Sequence, residues 1–210
     1  MSTFIFDFDG TLADSMPFYA AEMLSILERN NIDYPTDIIK IITPLGYQGA
    51  AKYYVEQFKL DYTVDALVEL IHEELYPKYC KEIILKPEVA DYLTALKEQG
   101  HSLNVLSASP YRVIAAVLKR CNVFDLFDNI WSCEEFHRTK GEVEIYSEAV
   151  ERVGGALNDT FFFDDNLEAI KTAVCAGLYT IGVYDDASAD YIEEIKNTAN
   201  KFIYSFKEMR

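Results

Sequence analysis

An α/β fold, with a doubly wound parallel sheet and a block of helices inserted after its first strand, is what this sequence predicts, on three observations. After Pro87, strand-like apolar runs and amphipathic helical runs alternate strictly, and repeated βα units imply a parallel sheet covered on both faces. Between residue 16 and about residue 80 the periodicity is helical throughout. No repeat, Ser/Gly linker or like-charge block divides the 210 residues, of which 50% are apolar and 26% charged, so one core carrying an all-α insert is expected.

The elements follow in order. Thr3-Phe4-Ile5-Phe6-Asp7-Phe8 is β-rich and stops at Asp9-Gly10-Thr11, so it reads as a short buried strand ending in a tight turn that carries carboxylates. Helices are predicted over residues 16–30, 36–42, 48–59 and 64–81, punctuated by Pro35, Pro44 and Gly46. Then come a helix over 88–99 with Gly100 as its C-cap, a strand over 102–107, a helix over 111–121 and a strand over 129–133. A helix over 142–153, a strand over 160–163, a helix over 166–176 stopped by Gly177, and a strand over 179–183 complete the alternation. The chain is therefore divided into an α/β core of residues 1–15 and 83–210 and a helical domain of residues 16–82. The segment 204–210 is expected to close the fold without contributing chemistry.

Composition narrows the function. With 35 Asp+Glu against 19 Lys+Arg the net charge is −16, so a polyanion is repelled at long range and nucleic acid is not an expected partner. A small anionic substrate would need a metal ion or a few placed lysines. Cys80, Cys121, Cys133 and Cys175 lie at wide, irregular spacings without a C-x-x-C pair, which suggests neither zinc nor disulfides and fits a reducing cytoplasm. The N-terminus reaches acidic residues too early for a signal peptide, and no run approaches a membrane span, so a soluble cytoplasmic protein without membrane partners is expected. His72, His101 and His137 do not cluster in sequence with a nucleophile, so a Ser-His-Asp arrangement is not suggested.

Ligands of open parallel sheets bind beyond the carboxyl ends of the strands. There this sequence places Asp7 and Asp9 after the first strand, Ser107 after the second, and Asp164 and Asp165 after the fourth, with Lys140 just before a helix. Carboxylates gathered with few neutral donors suit a hard, oxygen-seeking cation such as Mg²⁺, because like charges held together are costly without one.

Asp7-Phe8-Asp9-Gly10-Thr11-Leu12-Ala13-Asp14-Ser15, Ser107 after an apolar strand, Lys140, and Asp164-Asp165 resemble the four ordered motifs of the haloacid dehalogenase-like (HAD) hydrolase superfamily. The helical insert after the first motif resembles the cap domain of its phosphoglycolate phosphatase and β-phosphoglucomutase branch. The resemblance implies a Rossmann-like, HAD-type core and a Mg²⁺-dependent phosphatase acting on a small phosphorylated metabolite through an aspartyl-phosphate. It implies Asp7 as nucleophile and Asp9 as general acid and base, with its backbone carbonyl also on the metal. It further implies Ser107 as a hydroxyl donor to phosphate, helped by the amides of Ala108 and Ser109 and bordered by Gly10 and Thr11. Lys140 would neutralise the phosphoryl group and Asp7. The implied metal residues are Asp7, Asp9, Asp165 and, in support, Asp164.

Two places depart from the family pattern: Gly141-Glu142-Val143 follows Lys140 where many relatives have a proline-containing turn, and Ala169 stands where some carry a second acid. Asp9 argues against dehalogenation, which needs no group to protonate an alkoxide. Met16-Pro17-Phe18-Tyr19-Ala20-Ala21 lacks the cap-linker histidine of β-phosphoglucomutases, which makes mutase activity the alternative reading, beside that of an inactive binding or regulatory protein of the same fold. The helical insert is expected to cover the site and choose the substrate, with Tyr47, Lys52 and the turn Thr43-Pro44-Leu45-Gly46 as candidate contacts. Nothing in the sequence sets an oligomeric state.

Overall fold

The computed structural model describes residues 1–209; Arg210, the last residue of the expected closing segment, lies outside them. The chain divides into two compact units, one formed by Met1–Asp14 and the chain from Ile84 onward, the other by Ser15–Ile83.

In the first unit six parallel strands form one sheet in the order β3-β2-β1-β4-β5-β6, with β1 at Thr3–Phe6, β2 at Ser102–Ser107, β3 at Asn129–Ser132, β4 at Thr160–Asp164, β5 at Tyr179–Val183 and β6 at Lys201–Ile203. The sequence grows outward from β1 to β3, then jumps back to place β4 on the other side of β1. The connections leaving β1 and β4 therefore diverge and open a crevice at their carboxyl ends, where such sheets bind ligands.

The central strands are buried on both faces, and their period of two sorts the side chains. Phe4, Phe6, Phe161 and Phe163 stack on one face, where Phe6 and Phe163 reach Tyr92 of helix α5 (Val89–Glu98). Ile5 and Phe162 point the other way, into a cluster with Leu106, Tyr146, Ala149, Ala169 and Ala173. Burial of that many aromatic and branched side chains supplies the main stabilising term.

The second unit is helical: α1 (Met16–Arg29), α2 (Ile38–Ile42), α3 (Gly46–Phe58) and α4 (Val64–Lys81). Pro17 pre-sets the first turn of α1, and the Thr63 hydroxyl accepts the Ala66 amide at 3.2 Å to cap α4. Met23, Ile26 and Leu27 of α1, Ala50, Ala51 and Tyr54 of α3, and Leu67, Ile71 and Leu75 of α4 are buried. Tyr54 satisfies its hydroxyl by donating to the Met23 carbonyl at 3.1 Å.

Several boundaries differ from the sequence reading. The helix expected over 36–42 begins at Ile38, whose amide bonds Pro35 across a turn, and the one expected from 48 begins at Gly46, after a 3₁₀ turn at Thr43–Leu45. The strand expected over 129–133 ends at Ser132, because Ser132 and Glu135 form a capping box that starts a 3₁₀ turn at Cys133–Phe136. Gly100 lies one residue beyond the helix cap Gln99 and carries the positive φ of +80°. Helix α6 spans Tyr111–Arg120, α7 Val143–Arg152 and α8 Leu167–Cys175. After β5 come α9 (Ile192–Thr198) and edge strand β6, neither foreseen, while Phe206 in the closing segment is buried against Tyr92 and Phe163. Among the described residues no helix is long and apolar enough to cross a membrane.

Candidate active site

β1 and β4 are neighbours in register, Phe6 opposite Phe163, so the residues that follow them emerge side by side. The Asp7 amide still donates to the Phe163 carbonyl at 2.8 Å, prolonging the ladder by one step and bringing Asp7 up to Asp164 and Asp165. All three carboxylates are buried, with residue exposures of 5%, 0% and 7%, and each offers an oxygen within 4.8 Å of the others'.

The chain then turns sharply. Leu12 and Ala13 amides both bond the Phe8 carbonyl, and Gly10 takes φ +78°, which a side chain disfavours. A Cβ at Gly10 would also lie 2.8 Å from Asp165 Oδ2, so glycine is required here twice over. That close approach lets the Thr11 hydroxyl donate to Asp165 Oδ1 at 3.1 Å.

Lys140 enters from the segment before α7. Its Nζ lies 2.6 Å from Asp7 Oδ1 and 2.7 Å from Asp164 Oδ2. The Asn166 amide donates to Asp164 Oδ1 at 2.8 Å, so both Asp164 oxygens have partners. No proline is needed to hold Lys140. Glu142 accepts from both the amide and the hydroxyl of Thr139, and the buried Tyr146 hydroxyl shares its single proton between the carbonyls of Lys140 and Ala169, at 2.9 and 3.1 Å. Those bonds tie the lysine's main chain to α8.

Burial raises the Asp7 carboxyl above its ordinary range, an effect that Lys140 partly offsets. Burial likewise raises Asp164, to about 7, and lifts Asp165 well up, with Asp164, Asp7 and Asp185 adding to the push. Burial pulls Lys140 down, yet the Asp164 and Asp7 carboxylates overcome it and hold the ammonium well above its usual range.

Asp9 is half-buried and stands outside the three-carboxylate cluster; its Oδ2 accepts from the Ser109 hydroxyl at 2.5 Å. Ser107 is buried, and its oxygen accepts the Ser109 amide at 3.1 Å, while Ala108 is exposed. Asp7, Asp164, Asp165, Lys140, Gly10 and Thr11 are thus brought together, and Ser109 links Ser107 to Asp9. Tyr47 and Lys52 belong to the helical unit. Tyr47 packs edge-on against Tyr19 and His72 and shares a hydrogen bond of 3.2 Å with the Tyr79 hydroxyl, whereas Lys52 is exposed, 3.9 Å from Glu56.

Sequence reasoning passed over Lys86, Asp185 and Tyr146. Lys86 Nζ lies 2.7 Å from Asp185 Oδ2, both side chains largely buried, and both act on the Asp165 carboxyl. Asp185 follows the carboxyl end of β5, so the rule that exposed the other acids also reached it; Tyr146 carries no signal beyond a buried helical position.

The donor set fits a hard divalent cation. Fully ionised, the clustered and buried Asp7, Asp164 and Asp165 face one ammonium group, Lys140, leaving two negative charges in excess, and all the donors are oxygens.

Phosphorylated carbohydrates phosphatase of Thermotoga maritima is 23% identical over 181 residues, covering 86% of this chain and 84% of its own. Phosphoglycolate phosphatase of Escherichia coli is 24% identical over 200 residues, covering 85% and 79%. Among solved structures, CbbY of Rhodobacter sphaeroides in complex with phosphate superposes with a TM-score of 0.85 at 20% identity, over 100% of this chain and 96% of that one, a likeness of fold. The family model of the haloacid dehalogenase-like hydrolases matches residues 4–183, from β1 through β5, and the chain belongs to that family.

Proposed function

We propose that this protein is a Mg²⁺-dependent phosphatase that hydrolyses a small phosphate monoester through an aspartyl-phosphate on Asp7. The observation that carries the reading is the Lys140 ammonium seated between Asp7 and Asp164, with Asp165 alongside at the crevice of the sheet. That arrangement masks the charge of a carboxylate so that it can approach an anionic phosphate.

Lys140 holds Asp7 Oδ1, which leaves the other carboxylate oxygen to attack phosphorus. As the P–O bond to the ester breaks, Asp9 gives its proton to the departing oxygen. Asp9, then ionised and held by the Ser109 hydroxyl, takes a proton from the water that attacks the acyl phosphate, releasing phosphate and restoring Asp7. Ser107, the Ala108 and Ser109 amides and the Gly10–Thr11 turn border the phosphoryl oxygens. Asp7, the Asp9 main-chain carbonyl and Asp165 would hold Mg²⁺, Asp164 fixing Lys140 beside them, and the ion supplies charge neutralisation of the phosphoryl group. Phosphate release from p-nitrophenyl phosphate, with and without Mg²⁺, tests the reading: Mg²⁺-dependent turnover is expected, and a folded protein that releases no phosphate under either condition is a binder instead.

We assign the choice of ester to the helical unit, and within it to Tyr47 and Lys52. The phosphatase names of the Thermotoga and Escherichia relatives support a phosphorylated carbohydrate or another small phosphate ester as the substrate class. Replacing Tyr47 or Lys52 by Ala should lower kcat/KM for the preferred ester about tenfold, while p-nitrophenyl phosphate, which offers little beyond its phosphoryl group, changes about twofold or less. Equal losses on both esters in steady-state assays refute the assignment.

A further inference from the structure

Lys86 joins three segments of the α/β unit. Its amide donates to the Leu12 carbonyl at 2.8 Å, while the Asp14 amide donates to the Ile84 carbonyl at 2.9 Å and Ala13 bridges Leu85. The chain returning from the helical insert is thus laced antiparallel to the turn that carries Asp9, Gly10 and Thr11. The Lys86 ammonium crosses to the end of β5, donating to the Tyr184 carbonyl at 2.7 Å and meeting Asp185 Oδ2 at 2.7 Å. Asp185 is itself held, because its Oδ1 accepts the Ala187 amide at 2.9 Å. The ammonium has a fixed mooring, not a floating counter-charge.

A largely buried ion pair is an expensive way to hold a fold together, since an apolar pair of similar volume does as well or better. Its position explains it. Thr11, one residue before the carbonyl that Lys86 grips, donates to Asp165 at 3.1 Å, and the turn is packed so closely on Asp165 that Gly10 has no room for a Cβ. A shift of the 10–12 backbone therefore moves the groups that orient Asp165, and Lys86 fixes that backbone against β5. Side chains that orient ligating residues are worth about 10- to 100-fold in metal affinity.

We propose that Lys86 and Asp185 are a positioning pair for the metal site, acting through the Leu12 carbonyl and the Thr11 hydroxyl on the Asp165 carboxylate. The inference rests on the reading of Asp165 as a Mg²⁺ ligand. It assigns the pair no contact with substrate.

Titration calorimetry with Mg²⁺ alone, on the full chain without substrate, tests this. Lys86→Met should bind Mg²⁺ about 10- to 100-fold more weakly than the parent, and Lys86→Arg, which can still reach Asp185 and the Tyr184 carbonyl, should recover most of the loss. Because Lys86→Met strands the Asp185 charge, the double variant Lys86→Met/Asp185→Leu is measured beside it; it leaves no unpaired charge, should fold, and should still bind weakly. At saturating Mg²⁺ its kcat should return to within about threefold of the parent's, as for residues that act on a metal ligand through its neighbours and do not touch substrate. A folded double variant with the parent's Mg²⁺ affinity overturns the positioning role. A parent that binds no Mg²⁺ at all overturns the metal reading, and this inference with it.

Discussion

Asp7→Asn is expected to abolish turnover, lowering kcat by at least about a thousandfold, while leaving circular dichroism and melting temperature close to the parent's. The amide is the same size as the carboxyl and can still accept a hydrogen bond from Lys140, which sits 2.6 Å from Oδ1. It also removes one of three buried charges crowded within 4.8 Å, so the fold has little to lose. An uncharged amide cannot form the acyl phosphate, and no other carboxylate can replace it. Asp164 is engaged through both oxygens by Lys140 and the Asn166 amide, and Asp165 is pressed against Gly10 and Thr11. Activity within tenfold of the parent in a well-folded Asp7→Asn protein would sink the nucleophile assignment.

The second large effect concerns the metal. Asp165→Ala should raise the Mg²⁺ concentration for half-maximal activity by at least about tenfold, and excess Mg²⁺ should restore much of kcat if the residue binds the ion without joining the chemistry. The melting temperature gives an independent readout, because an ion that binds only the folded chain stabilises it. Burial and neighbouring carboxylates raise Asp7, Asp164 and Asp165 in the folded state, Asp164 to about 7, so the folded chain binds more protons than the unfolded one. Stability without metal is therefore penalised at and above neutral pH by these groups, and the penalty fades as pH falls through the raised values towards the ordinary carboxylate range. Mg²⁺ competes with those protons, so the gain in melting temperature on adding it should grow between about pH 5 and pH 8 in the parent and be much smaller in Asp165→Ala. Overlapping Mg²⁺ titrations of parent and variant would show that Asp165 is not a ligand.

How far the sequence could be read depended on how local each signal was. The strands Ser102–Ser107 and Tyr179–Val183 and the helix Val64–Lys81 were legible to the residue because apolar period, flanking Gly or Thr and element length agree within one short window. The helix at Ile192–Thr198 and the strand at Lys201–Ile203 were not, since three residues carry no period and β6 exists only because β5 offers Ile181, Gly182 and Val183 as partners. The closing segment shows the same dependence: Phe206 is buried only because Tyr92 and Phe163 already stand there.

The site divides in the same way. By itself the sequence determined which acids lie at strand ends, and so Asp7, Asp9, Asp164 and Asp165 as candidates, because the alternation of elements names the last residue of each strand. It also determined Gly10, since the turn after β1 had to be tight. Only the tertiary structure decided how these groups share charge. The strand order puts β1 beside β4, which brings Asp7 to Asp164 and lets one lysine, Lys140, serve both. It likewise brings Lys86 to Asp185 across nearly half of the chain, a pairing invisible to any local pattern. The physical reason is that hydrophobic period and turn chemistry act between near neighbours in sequence, whereas buried charges are satisfied by whatever partner the packing of the sheet brings within about 3 Å.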